Sequence, residues 1–363
     1  MERPSPSPIV VGLLYDFPQG DGGESFETAV RLGIEDATAT QGRLDRPVEF
    51  VRHLARGLPL GTAADVERGF SVLDDNDVLA IVGPSISDNG LIVRELADMA
   101  GIPCINYTGG AMTRSEWMFH YQVGSLEEEP IVLAEHLHQR GISRVAVVFD
   151  QSPVGRRYAD AFDAVRRRLG IETTLALSIS PVAGPDAGAD LVDRLRAAAP
   201  EGVVYLGLGM AARTLAVGLA GAAWPVPVVA NSALMFGYAQ KEWREDWKGW
   251  VYVDTVADDN AQRAALRGRS AATAAGPVGV AGFDIGRLLG EALARCEHLT
   301  RAGVRDALEN VKRLPAASGL PGTTMGFGCW DHGALKGDFL VLRVWKDGRT
   351  VQYRPGLERV DDR

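Results

Sequence analysis

Cysteine is scarce: Cys104, Cys296 and Cys329 are all that 363 residues contain. Three thiols so far apart leave room for one pair or none, and exclude a disulfide framework as the basis of the fold. A basic excess is missing too. The formal charge is −9 and the longest basic run is Arg166-Arg167-Arg168, on a predicted helix whose solvated face accounts for it, so nucleic acid is excluded as a partner. No apolar run is long enough to span a membrane. Residues 202–224 come nearest, but Arg213 and several glycines interrupt them, and they read as a buried strand followed by an apolar helix. The opening MERPSPSP lacks the apolar segment of a secretory signal. As written the chain is expected in the cytoplasm, and outside it if an export signal precedes this start.

Catalytic signatures are missing as well. There is no G-x-S-x-G elbow, H-E-x-x-H pair, P-loop or C-x-x-C, each of which places a nucleophile, metal or phosphate by fixed spacing. His136 and His138 are two apart on a predicted helix and point to different faces, which makes them a poor metal pair. The one dinucleotide-like stretch, Gly207-Leu208-Gly209-Met210-Ala211-Ala212, follows a strand and opens a helix. The next strand, however, ends in Ala230-Asn231-Ser232 and lacks the acid that would hold a ribose. An NAD-dependent α/β enzyme is therefore the least favoured reading, and no cofactor and no metal are expected. The glycines, Gly209 among them, more simply let a ligand or another lobe approach the backbone.

What is present is an ordinary globular composition, 46% hydrophobic and 23% charged, long enough for two domains. Buried-type strands over 9–15, 47–53, 78–82 and 102–105 alternate with helical patterns over 25–37, 62–74 and 88–100. Alternation of that kind predicts a parallel sheet covered by helices on both faces. From Ser125 the pattern restarts, with strands over 144–149, 172–178, 202–206, 226–230 and 250–253, and helices between them. A helix is predicted over 280–296, and a hairpin turning on Asp347-Gly348 closes the chain.

Residues 78–129 organise the functional reading. One strand ends at Gly83-Pro84, and Ser85, Ser87, Asp88 and Asn89 then open a helix with N-cap chemistry. The next strand runs into Tyr107-Thr108-Gly109-Gly110. Read as caps, these residues merely start a helix. Read together at the carboxyl ends of neighbouring parallel strands, they place a helix N-terminus, hydroxyls and a loosened backbone around one crevice suited to a small anion. Phe17, Tyr107, Trp117 and Phe283 stand at strand ends or helix starts, where an aromatic ring lines a crevice or joins the core. Asp284 is read at the front of the helix over 280–296, as a cap or a charge for a ligand.

The order of these pieces resembles the type I periplasmic binding proteins, in particular the leucine/isoleucine/valine-binding and amide-binding branch. The likeness is carried by Ile81-Val82-Gly83 with Ser85 and Ser87, Ile102-Pro103-Cys104-Ile105-Asn106 with its loop, Val145–Asp150 followed by Gly155, and the run from Gly328 to Gly337 that begins Gly328-Cys329-Trp330-Asp331. The resemblance implies two doubly wound α/β lobes joined by three crossovers, near 123–125, 253–256 and 326–330. Lobe one would comprise residues 1–124 and 254–328, and lobe two 125–253 and 329–363. It further implies a small-molecule ligand clamped by hinge closure, delivered to an ABC permease, or sensed on behalf of a regulatory protein if the chain stays in the cytoplasm. Carried over by position, the carboxylate-holding serine falls on Ser87 and the neighbouring donors on Thr108 and Gly110. Ser125, at the first crossover, is counted with them. On the facing lobe a family tyrosine falls on Val154, and the acid that pairs with an α-ammonium falls on Ser232, beside Asn231. Without that acid a neutral amide or a keto or hydroxy acid fits better than an amino acid, unless Asp284 supplies the charge.

Overall fold

The computed structural model describes residues 7–16, 22–41, 44–236 and 240–354. The chain divides into two compact units, Met1–Val123 with Asp259–Phe339, and Gly124–Asp258 with Leu340–Arg363. The first unit begins with β1 (Ile9–Tyr15), α1 (Gly22–Gln41), β2 (Val48–Leu54), α2 (Ala63–Asp75), β3 (Ala80–Val82), α3 (Ser87–Ala100), β4 (Cys104–Asn106) and β5 (Met118–His120). The second follows with α4 (Glu129–Gln139), β6 (Arg144–Asp150), α5 (Pro153–Arg166), β7 (Glu172–Ile179), α6 (Gly188–Ala197), β8 (Gly202–Leu206), α7 (Ala212–Gly221), β9 (Val228–Ala230) and β10 (Val251–Asp254). The chain then returns to unit 1 for α8 (Ala261–Arg269), α9 (Pro277–Arg295), α10 (Arg301–Glu309), β11 (Leu314–Pro315), β12 (Thr324–Met325) and β13 (Leu335–Lys336). It ends in unit 2 with β14 (Val341–Lys346) and β15 (Arg349–Gln352).

Both sheets are doubly wound, and the fold class is α/β as expected. In unit 1 the order is β2-β1-β3-β4-β5 and every pairing is parallel. In unit 2 it is β15-β14-β10-β9-β8-β6-β7, with β14 and β15 antiparallel at one edge. The strand order reverses at β1 and β3 in the first sheet and at β6 and β8 in the second, and connections diverge there to leave a crevice at the strands' carboxyl ends. The central strands are mostly apolar because both faces are covered. Each residue of β3, β4 and β8 is buried.

In unit 1 the helices α1 and α9 pack backbone to backbone. A Cβ on Gly33 would stand 2.1 Å from the Phe283 carbonyl oxygen, and one on Gly286 2.1 Å from that of Val30. Around this seam Phe26, Val30, Ile34, Val280, Ile285, Leu288 and Leu289 are buried, each stabilising the fold by roughly 1.5–3 kcal/mol for a large side chain removed from water. The α2 helix opens on Thr62, whose hydroxyl accepts from the Asp65 amide, and α3 closes on Gly101 in the left-handed region, φ 62°. Both ends follow the sequence signals.

Two of the expected crossovers lie elsewhere. Residues 254–258 belong to unit 2, because Asp254 pairs with Val341 and the Arg343 guanidinium holds the Val256 carbonyl and Asp258. Residues 329–339 belong to unit 1, because β13 pairs with β12, Gly333 bridges to His120, and Gln122 exchanges two hydrogen bonds with the Leu335 backbone. Polar side chains gripping backbone decide these boundaries, and hydrophobic periodicity does not register them. β5 ends at His120; beyond it the Tyr121 and Val123 amides still reach the Asn106 and Thr108 carbonyls at 2.8 and 3.3 Å.

Candidate functional site

In unit 1 the crevice at the switch point is floored by Asp16, the residue after β1. It is fully buried. The Ser85 amide and hydroxyl donate to its Oδ1 at 3.0 and 2.6 Å, and the Ile86 amide and Asn89 side chain donate to its Oδ2, both at 2.9 Å. Burial pushes the Asp16 carboxyl up, and these donors oppose the rise. Ser85 is thus committed to an internal anion, which corrects its reading as a ligand donor.

Ser87 differs from Ser85. α3 begins at Ser87, and its first internal bond is Gly90 N–H to the Ile86 carbonyl, 2.8 Å, so the positive end of the helix lies at Ser87. Ser87 is 3% exposed, and no described residue hydrogen-bonds to its hydroxyl. A Cβ on Gly110 would stand 3.2 Å from Ser87 Oγ, so the two polar loops meet. Glycine at 110 keeps that approach open. Thr108 belongs to the wall: its buried hydroxyl donates to Asn106 Oδ1 at 2.9 Å, lies 3.2 Å from Thr113 Oγ1, and accepts from the Gly110 amide at 3.4 Å. Its expected role as a hydroxyl donor is corrected, while its backbone, with half-buried Gly109, borders the crevice. Tyr107 stacks on Phe26 with ring centroids 4.6 Å apart, and Phe17 lies outside the described residues. What remains is the Ser87 hydroxyl at the N-terminus of α3 beside Gly110, an arrangement able to hold a carboxylate or carbonyl oxygen.

Asp284 and Phe283 fall well inside α9, which starts at Pro277 and not at residue 280, since proline is favoured in a helix's first turn. Asp284 is fully buried and accepts from the Ala317 amide, the Ser318 amide and the Tyr121 hydroxyl at 2.9–3.0 Å. Burial raises its carboxyl, and those amides pull it back. It ties α9 to residues 317–318, so its reading as a helix-front cap or a ligand charge is corrected. Phe283 is buried, with the Arg269 and Arg287 guanidinium groups 6.0 and 5.7 Å from its ring.

In unit 2 the glycine loop after β8 closes on a carboxylate of the protein. Asp150 accepts from the Tyr205 hydroxyl at 2.7 Å, from the Leu208 amide at 2.6 Å and from the Gly209 amide. Burial lifts its carboxyl to about 6 despite these donors. A Cβ on Gly207, φ +157°, would meet Asp150 Cγ at 2.4 Å. The phosphate-loop spacing thus has an internal occupant, and Gly209 spends its amide there. Asn231 is equally committed, exchanging two hydrogen bonds with the Gly207 backbone at 3.2 and 2.9 Å. Val154 is buried in the first turn of α5, whose N-cap Ser152 accepts from the Gly155 amide at 3.0 Å.

Ser125 and Ser232 are brought together by a residue the sequence reading passed over. Glu129 is fully buried at the start of α4. Its Oε1 accepts from the Ser125 amide at 2.7 Å and from the Tyr158 and Ser232 hydroxyls, both at 2.9 Å, while Oε2 accepts from the Ser232 amide at 2.6 Å. Burial pushes this carboxyl up to about 7, opposed by those four donors. Among the described residues no group of three or more His, Cys, Asp or Glu side chains is placed to hold a metal ion, and no helix is long and apolar enough to cross a membrane.

Two doubly wound sheets, each with polar loops gathered at its switch point, define a class. The chain belongs to the periplasmic binding protein family, whose model matches residues 8–349. Its architecture is that of the type I members, which are substrate-binding proteins and not enzymes. It is similar in fold to a periplasmic binding protein type 1 from Bordetella pertussis Tohama I (TM-score 0.78, 18% identity, 95% of this chain and 99% of that one). It is similar also to an ABC transporter substrate-binding protein from Desulfitobacterium hafniense in complex with Leu (0.76, 18%, 95% and 99%). A third similar structure is a branched chain amino acid ABC transporter protein from Thermus thermophilus with bound valine (0.75, 15%, 96% of each chain). None of the curated proteins matches.

Proposed function

We propose that this chain is the solute receptor of an ABC importer, and that the opening of α3 takes the acidic or carbonyl end of a small carboxylate, amide or amino-acid-like solute. The observation that carries this reading is the Ser87 hydroxyl, on a buried residue and without a protein partner among the described residues, at the N-terminus of α3 and beside Gly110. A carboxylate oxygen bound there would accept from that hydroxyl at the positive end of the helix. Two proteins of the same fold hold leucine and valine, which supports an amino-acid-like solute. A thermal-shift panel of amino acids, amides and keto acids tests the reading. At least one compound should raise the melting temperature, the shift growing with the logarithm of ligand concentration above its Kd, and a flat panel would count against it.

A further inference from the structure

His120 ends β5 and is buried. Its backbone is fixed on both sides: the His120 amide donates to the His332 carbonyl and its carbonyl accepts from the Ala334 amide, both at 2.8 Å. The ring lies between two polar groups of unit 1. Arg114 Nε stands 3.2 Å from Nδ1, and Nε2 stands 2.8 Å from the Thr108 carbonyl oxygen. A guanidinium N–H only donates and a carbonyl only accepts. Nδ1 is therefore the bare nitrogen and Nε2 carries the hydrogen, so one neutral tautomer satisfies both contacts and an imidazolium does not. Burial lowers the ring to about 3, with Arg114 acting the same way and the Thr108 bond and the Asp331 carboxylate opposing.

Arg114 is itself held. Its Nη1 pairs with Asp331 Oδ1 at 3.0 Å, the oxygen that also accepts from the Gly333 amide at 2.9 Å. A Cβ on Gly333 would stand 2.5 Å from Arg114 Cζ, so the guanidinium lies against bare backbone in space that a side chain would take. Asp331, Arg114 and His120 thus form a line of polar contacts that ends on Thr108, just before the two glycines that reach the candidate site. A Cβ on Gly110 would stand 3.2 Å from Ser87 Oγ. The Thr113 hydroxyl holds the Gly110 carbonyl at 2.8 Å. At the Thr108 carbonyl the Val123 amide is more distant, at 3.3 Å, and His120 makes the short bond. Gly109 and Gly110 give this bend a freedom that such bonds must remove.

We propose that His120 is a positioning residue for solute binding: its Nε2–H holds the Thr108 carbonyl, and with it the placement of Gly110 beside Ser87, while Arg114, anchored on Asp331, imposes the tautomer that does so. This role rests on the solute-receptor reading above and extends the site to side chains that act on the solute only through the backbone they hold. Every residue in the line belongs to unit 1.

Two measurements on the full chain test this. Long-range proton–nitrogen NMR of the histidine rings reads the tautomer without any solute. His120 should show Nε2–H and a bare Nδ1 from about pH 8 to about pH 5, and Arg114→Met should admit the other tautomer. An Nδ1–H tautomer or an imidazolium at His120 of the wild-type chain in that range overturns the assignment. Calorimetric titration then uses the tightest binder from a panel of amino acids, their amides and their 2-keto acids. Glutamine places an N–H where histidine has Nε2, and leucine has none. His120→Gln should therefore bind within about threefold of wild type, and His120→Leu about tenfold or more weaker. Equal affinity in His120→Leu, or an equal loss in both variants, overturns the positioning role alone and leaves the receptor reading standing. If His120→Leu does not fold, Arg114→Met takes its place, with a severalfold loss expected and unchanged affinity overturning the role. A wild-type chain that binds nothing in the panel overturns the receptor reading and the positioning role together.

Discussion

Asp16 and Asp150 occupy equivalent places in the two units: each stands at the carboxyl end of the strand beside the switch point and receives the amides of the loop leaving the strand next to it. Asp16 follows β1 and takes the Ser85 and Ile86 amides after β3; Asp150 ends β6 and takes the Leu208 and Gly209 amides after β8. Parallel neighbours deliver those amides to the same edge of the sheet, and a buried carboxylate satisfies them where solvent cannot.

Truncating either one should therefore be costly. Asp16→Ala or Asp150→Ala leaves several buried donors unpaired, and each such group costs about 1–3 kcal/mol. Urea denaturation should show a loss of roughly 3 kcal/mol or more for each variant. A loss under about 1 kcal/mol would mean that water replaces the carboxylate.

The seam between α1 and α9 has no space for a methyl group. Gly286→Ala puts a Cβ 2.1 Å from the Val30 carbonyl oxygen, and relief requires the helices to part. Overpacking of this kind costs about 1–3 kcal/mol, so the melting temperature should fall by several degrees. An unchanged value would show that the seam opens freely.

Ser87 and Thr108 should separate cleanly. Ser87→Ala removes a hydroxyl with no protein partner, so the free protein keeps its stability while ligand affinity drops by about 1–3 kcal/mol. Thr108→Val removes a hydroxyl that serves Asn106, Thr113 and Gly110, so the free protein itself should lose about 1 kcal/mol or more. Denaturation and titration of both variants read this out, and a Ser87→Ala variant as destabilised as Thr108→Val would reverse the assignment.

Stability should rise on mild acidification. Glu129 is raised from 4.5 to about 7 and Asp150 from 3.8 to about 6, both by burial. Each carboxyl binds its proton more tightly folded than unfolded, so its contribution is full below the unfolded value and is lost as pH climbs through the folded one. From pH 8 to pH 6 the gain should be about 1–2 kcal/mol. Below about 6.5 His120 acts the other way, since burial lowers its ring to about 3 and the unfolded chain then binds the extra proton. Two carboxyls outweigh one imidazole, so denaturation should show stability still rising from pH 8 down to pH 5, and Glu129→Gln should flatten the limb between 6 and 8.

Much of this fold is legible in the sequence because its signals are local. The run Ile9–Tyr15, the cap at Thr62 and the stop at Gly101 each place an element end without reference to anything distant. The Asp347-Gly348 turn, with φ of 53° and 73°, does the same for the last hairpin. The polar anchors are not local. Asp16 is 69 residues from Ser85 and Glu129 is 103 from Ser232, so neither pairing shows in any window of sequence. A signal for the aspartates did exist, in the repetition of strand followed by aspartate at Tyr15-Asp16 and Phe149-Asp150. For Glu129 there was little beyond Pro130, which fixes a helix start; Glu127 and Glu128 beside it are exposed. Thr108 and Asp284 show the opposite error, residues with ligand-like chemistry whose hydrogen bonds the fold has already spent.

The most direct measurement is a calorimetric titration of the purified chain, wild type and Ser87→Ala, against small amino acids, amides and carboxylates. The expected result is one-to-one binding of at least one compound by the wild-type chain, weakened roughly tenfold or more in Ser87→Ala. Binding that is indifferent to the loss of the Ser87 hydroxyl, or no binding anywhere in the panel, would contradict the assignment of the α3 opening as the place where the solute's acidic end is held.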